Sequence, residues 1–125
     1  MAPALPIALK RAYETAAAGD GCRILVERLW PRGVTKEAAR IDLWAKEAVP
    51  TADLRKWYGH EPERWPEFQK RYLAELQKRA QAAAAVAEIR ARVAAGPVTF
   101  VFAAKDLERN SAALLRRALL DGLIG

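Results

Sequence analysis

Residues 98–103, Val-Thr-Phe-Val-Phe-Ala, offer no polar face. A strand points alternate side chains to opposite sides, so a strand that is apolar on both sides is covered on both. That is the position of a central strand in a parallel sheet layered by helices, and no other segment narrows the possible folds as much. The flanking residues agree with it. Upstream, the Ala-rich stretch 80–95 has strong helical propensity and sets Val86, Ile89 and Val93 on one stripe, with Gly96-Pro97 ending it. Downstream, Asn110 is a suitable N-cap for a last helix that turns Leu114, Leu115, Ala118 and Leu119 inward.

The remaining segments extend this pattern. Leu5 to Leu9 reads as a first strand. Gly19-Asp20-Gly21 marks a turn, and residues 23–29 read as a second strand stopped by Pro31. Thr35 caps a predicted helix that places Ile41, Trp44, Ala45 and Ala48 on one face and ends at Pro50. Thr51 caps a short segment containing Leu54 and Trp57, closed by Gly59. Pro62 and Pro66 belong to the turn that leads into a long helix carrying Trp65, Phe68, Tyr72, Leu73 and Leu76, and the Ala-rich stretch continues it. The order β-β-α-α-α-β-α predicts the α/β class. It describes a single compact domain over residues 1–125, with a small, about three-stranded, at least partly parallel sheet covered by helices.

Composition excludes several chemistries. One Cys and one His among 125 residues leave no internal disulfide framework, no four-Cys zinc site and no His-rich metal site. There is no G-x-G-x-x-G, P-loop or G-x-S-x-G spacing, so neither a metal nor an organic cofactor is predicted. No run approaches the ~18 apolar residues of a membrane helix, and the first residues lack a secretory pattern, so the expected location is cytoplasmic with no membrane partner. The formal net charge of +6 points to an anionic partner, but both residues 1–71 and residues 72–125 carry +3, and no block of like charge stands out. Nucleic acid is therefore only weakly indicated as a partner, and a local anion pocket fits better.

Ligands of open α/β sheets collect at the carboxyl ends of parallel strands. The second strand runs into Arg28, Trp30, Pro31 and Arg32, and the strand at 98–103 runs into Lys105 and Asp106 before Asn110. If these strands are parallel, the two ends form one basic rim. Asp106 is the preferred candidate carboxylate, with capping of the following turn as its structural alternative. His60, beside Gly59, is the candidate acid or base near neutral pH, or else a polar turn residue. Glu27 either acts chemically or pairs with an Arg across the sheet. Trp30, Trp44, Trp57 and Trp65 fall within 36 residues. They form either an aromatic surface for a planar ligand, supported by Arg55 and Arg64, or core packing for short helices. Cys22 reads as a small buried filler.

Several of these segments together resemble the domain-of-unknown-function family 488, in its YeaO-like branch. They are Lys10-Arg11-Ala12-Tyr13, Arg28-Leu29-Trp30-Pro31-Arg32-Gly33, Leu54-Arg55-Lys56-Trp57-Tyr58-Gly59-His60, Arg64-Trp65, and Ala103-Ala104-Lys105-Asp106 with Asn110. The resemblance spans about residues 8–120. It implies a compact bacterial α/β protein of unestablished activity. On the matching motifs, Arg11 and Tyr13 join Arg28, Trp30, Arg32, Arg55, Trp57, Lys105 and Asn110 as candidate ligand-binding residues. Asp106 and His60 remain the candidate catalytic pair. The branch often carries Asp at Glu27, His at Ser111 and Tyr at Phe102, which shifts weight here to Arg, Lys and Asp. The leading functional reading is a binding site for a small anionic, phosphate- or carboxylate-bearing ligand. A small enzyme acting on an anionic or nucleotide-like substrate is the alternative. A nucleic-acid or protein-interaction module comes third, and the oligomeric state is left open.

Overall fold

A computed structural model describes residues 7–124. Four strands form one parallel sheet: β1 (Ile7–Arg11), β2 (Cys22–Leu25), β3 (Leu43–Trp44) and β4 (Val98–Phe102), in the spatial order β1-β4-β2-β3. The helices are α1 (Lys36–Ala39), α2 (Ala52–Tyr58), α3 (Trp65–Lys78), α4 (Ala80–Ala95) and α5 (Ser111–Leu120). No helix among the described residues is long and apolar enough to cross a membrane.

The expected central strand is central, and all five of its residues are buried. It pairs with β1 and β2 in register, with Ile24 opposite Phe100 and Leu25 opposite Val101. Ile24, Val26, Val98, Phe100 and Phe102 join the main core built with the helices. Leu25 and Val101 face the other way, where Ala12, Trp30, Val34, Ile41 and Trp44 cover them. Burial of the sheet on both sides is what permits an all-parallel arrangement of such short strands.

The second face also encloses a charged knot. Arg23, 3% exposed, donates through Nε to the Ala39 carbonyl at 2.7 Å and through Nη1 to Asp20 at 2.6 Å. Thr99 donates to the Asp20 carbonyl, and Lys10 reaches the same carboxylate at 3.1 Å. Burial favours the neutral acid at Asp20. The Ala17 N–H and the two cations outweigh that and hold its carboxyl below the usual range.

Several expectations change in detail. The first strand occupies Ile7–Arg11, and Leu5, part of the expected span, lies outside the described residues. The second ends at Leu25, not Leu29, because the chain leaves the sheet to build the loop at its carboxyl end. The helix expected over residues 36–48 stops after one turn. Arg40 takes a left-handed conformation (φ 48°), and Leu43–Trp44 then pairs with the free side of β2. That edge had unpaired backbone groups, and it gains partners from Asp42, whose N–H reaches the Arg23 carbonyl at 2.8 Å, and from Ala45, whose N–H reaches Leu25. Trp44 is therefore a strand residue, and it and Ile41, both partly buried, pack on the second face of the sheet. The expected continuous long helix is two helices, split at Arg79 (ψ 126°). An unbroken helix over 65–95 would run about 46 Å, longer than a domain of this size, so the break lets α4 fold back along α3.

Candidate functional site

The site lies where β2 and β4 end side by side. Because the two strands are parallel, the loops that follow them open on the same edge of the sheet. A cleft of about 860 Å³ forms there, walled by residues 26–28, 49–52, α2, the segment 58–68 and the loop 103–111.

Local structure fixes each wall. Thr51 starts α2, its hydroxyl accepting the Leu54 N–H at 3.2 Å and donating to Glu75 at 2.6 Å. Gly59 ends it in a left-handed conformation (φ 55°), with its N–H on the Arg55 carbonyl. His60 follows at φ 59°, a region unfavourable to a residue with a Cβ. Arg55 and Lys56 project from the α2 face that also carries Ala52 along the cleft. On the opposite wall, Asp106 closes the loop before α5. Its carboxylate accepts the Glu108 and Arg109 N–H groups at 3.0 and 2.9 Å and the Arg109 Nε at 3.1 Å. Those backbone donors, first Arg109 and then Glu108, together with the Arg109 side chain hold its carboxyl below the ordinary range. Asn110, 5% exposed, caps α5 through the Ala113 N–H at 2.8 Å and donates to the Asp106 carbonyl at 2.9 Å.

The cleft floor is braced from two sides. Glu27 accepts the Ala103 N–H at 3.0 Å. Arg11 donates from Nη2 to the Ala103 carbonyl and from Nε to the Ala104 carbonyl, both at 3.1 Å. Burial raises the Glu27 carboxyl above the usual glutamate range, against the opposing pull of the Ala103 N–H and the Arg55 charge.

Five cations line the cleft, Arg28, Arg55, Lys56, Lys105 and Arg109, against the two carboxylates Glu27 and Asp106. Arg109 is committed to Asp106, and Arg28 reaches Glu47 only at 4.0 Å. Arg28 also donates to the Pro50 carbonyl at 3.3 Å, while its buried Nη2 has no hydrogen-bond partner among the described residues. No ion pair among the described residues engages Arg55, Lys56 or Lys105. Tyr58, His60, Trp65 and Phe68 form an aromatic wall on the same cleft. Tyr58 lies 4.7 Å from Phe68 and 6.2 Å from His60, and Trp65 stacks on Phe68 at 5.3 Å.

Comparison with known proteins assigns a family to this arrangement. Residues 6–124 match the description "inactive DUF488-N3 subclade". The chain belongs to the DUF488 family. An uncharacterized protein of Mycobacterium tuberculosis is 40% identical over 116 residues, covering 93% of this chain and 94% of its own length. The uncharacterized protein YeaO of Escherichia coli is 39% identical over 109 residues, covering 87% and 92%. No solved structure matches the chain.

In this DUF488 protein the expected residues divide into two groups. Arg28, Arg55, His60, Lys105, Asp106 and Asn110 meet at the cleft. Arg11 supports it from behind. Trp30, Arg32, Tyr13 and Trp57 do not line it. Trp30 donates to the Val34 carbonyl at 2.6 Å and meets Trp44 edge-on at 5.5 Å. Tyr13 is exposed beneath the Arg11 guanidinium, and its hydroxyl reaches the carbonyl of Arg32 at 3.4 Å. The guanidinium groups of Arg64 and Arg71 lie over the Trp57 ring, 5.5 and 4.1 Å from its centre. Sequence reasoning omitted Lys56, Tyr58 and Arg109 from the site. Lys56 was legible, since it follows Ala52 by one helical turn on the Arg55 side. Cys22 is partly buried, with the Arg92 guanidinium 3.6 Å from its sulfur. The described residues contain no cluster of three His, Cys, Asp or Glu side chains suited to a metal.

Proposed function

We propose that this protein binds a small anionic ligand, bearing a phosphate or carboxylate, in the cleft at the carboxyl ends of β2 and β4. One observation carries the reading: Arg55, Lys56 and Lys105 line the cleft with no salt bridge among the described residues, beside a fourth cation, the underused guanidinium of Arg28. Like charges gathered around one concavity repel one another even where, as here, Arg55, Lys56 and Lys105 are exposed, and an anion relieves that repulsion. Two carboxylates are too few to do so, and one of them is already consumed by Arg109.

Binding without turnover is the favoured form of this function. Asp106, the preferred acid or base from the sequence, spends its oxygens on two N–H groups and a guanidinium, and its lowered proton affinity makes it a poor base. We assign it to holding the loop that carries Lys105. His60 stands at the cleft rim as a contact for the ligand. The word "inactive" in the description of the matched subclade supports the same choice. Nucleic acid is less well served, because the unpaired cations gather in a pocket, not along an extended face.

Calorimetric titration with inorganic phosphate at low salt tests the proposal. The unaltered chain is expected to bind, and Arg55→Ala to weaken binding about tenfold or more, the scale of one lost charge-assisted contact. Arg32→Ala, outside the cleft, is expected to leave affinity unchanged. Equal losses at the two positions point to a diffuse surface effect and refute a local site.

A further inference from the structure

We infer that the ligand is a nucleoside phosphate, its phosphate held by Arg55 and Lys105 and its base against the aromatic wall led by Trp65 and Tyr58. This rests on the anion-binding reading and narrows it.

Size comes first. A cleft of about 860 Å³ is in the range of sites for organic ligands of several hundred daltons, and far exceeds what one phosphate fills. An anion alone would satisfy the cations and leave the aromatic side chains of the cleft in contact with water. The arrangement of those side chains is the second point. Tyr58, Trp65 and Phe68 form a contiguous cluster with centroid separations of 4.7 to 5.7 Å, in which Trp65 stacks on Phe68 and Tyr58 is tilted against both. Phe68 is buried at its base, while Tyr58 and Trp65 are half-buried and border the cleft. Aromatic side chains bordering a cavity suit a planar heterocycle, and stacking of a base on an aromatic ring is worth roughly 1–3 kcal/mol, or about 5- to 150-fold in affinity.

The third point is that one cavity offers both kinds of group. The cations come from the loop after β2, from α2 and from the loop after β4, and the rings from the end of α2 and the start of α3. A ligand charged at one end and aromatic at the other satisfies both at once. A sugar phosphate satisfies one only. Glu27, which also lines the cleft, commits one carboxylate oxygen to Ala103 and has further acceptor capacity for a sugar hydroxyl.

The experiment compares three probes by calorimetry at low salt: inorganic phosphate, ribose 5-phosphate, and adenosine or uridine 5′-monophosphate. The nucleotide is expected to bind at least about tenfold more tightly than ribose 5-phosphate. Trp65→Leu is expected to bring the ratio of nucleotide to ribose 5-phosphate affinity close to one, and Trp65→Phe to restore most of it. Because Trp65 also packs on Phe68, saturation-transfer NMR on the unaltered chain gives a second readout, in which base protons receive more saturation than ribose protons. Equal affinity for nucleotide and ribose 5-phosphate overturns the nucleotide assignment and leaves the anion site standing. Failure of all three probes to bind overturns both.

Discussion

Glu27 is the residue whose charge state matters most to the cleft. It is a carboxylate among five cations, and burial favours its neutral form. Its folded-state proton affinity exceeds that of the unfolded chain. Stability therefore falls as pH rises from the ordinary glutamate range through the raised folded value, and the penalty persists at neutral pH. Gln keeps an oxygen for the Ala103 N–H and removes the charge. Glu27→Gln is thus expected to be at least as stable as the parent at pH 7, with the difference shrinking in acid, as read by thermal melts across pH. The same change should tighten binding of sulfate, an anion that does not itself titrate in this range, by about fivefold at pH 7. A loss of sulfate affinity would contradict the view that Glu27 opposes anions. Asp106 has the opposite sign. Its carboxyl is held low, so its contribution to the loop is present above the ordinary aspartate range and is lost as pH falls through the folded value.

Elements place these residues, and the turn before β2 is the most constrained of them. Gly21 has φ 66°, and a Cβ built there would fall on the Pro97 carbonyl, which accepts the Cys22 N–H at 2.9 Å. The contact sets the register of β2 against β4, and with it the alignment of the two strand ends that frame the site. Gly33 also has positive φ (80°), but nothing lies within 4 Å of the corresponding Cβ. Gly21→Ala is expected to cost about 3 kcal/mol or more, from strain plus overlap with backbone, and Gly33→Ala about 1–2 kcal/mol from strain alone. Thermal melts distinguish the two, with a drop of roughly 10 °C or more expected only at Gly21. Similar melting temperatures for both would remove the Pro97 contact from this account.

Legibility also varied by element. Val98–Phe102, the caps at Thr51 and Asn110 and the stop at Gly59 carry local signals, and the structure bears them out. Leu43–Trp44 does not. Its apolar spacing fits a helix, and only the free edge of β2, supplied by a segment some twenty residues upstream, makes it a strand. The break at Arg79 has no proline or glycine, and it answers to the size of the domain.

At the scale of the whole molecule, the parallel pairing of β2 and β4 turns separated motifs into one cleft. The strand-end positions of Arg28, Lys105 and Asp106 were legible because parallel strands place their carboxyl ends together. The positions of Arg32 and Trp57 away from the cleft were not, since each depends on where a loop or short helix turns after leaving the sheet. Net charge was the least informative feature. Several arginines are spent on structure: Arg11 on loop carbonyls, Arg23 on Asp20, Arg64 and Arg71 over Trp57.

The central claim is that the unpaired cations act together as one anion site. An amide NMR titration of the unaltered chain with inorganic phosphate at low salt measures this most directly. Saturable shifts confined to residues 27–28, 55–60 and 103–111 are predicted. Linear, unsaturated shifts, or shifts scattered over the exposed arginines, would contradict it.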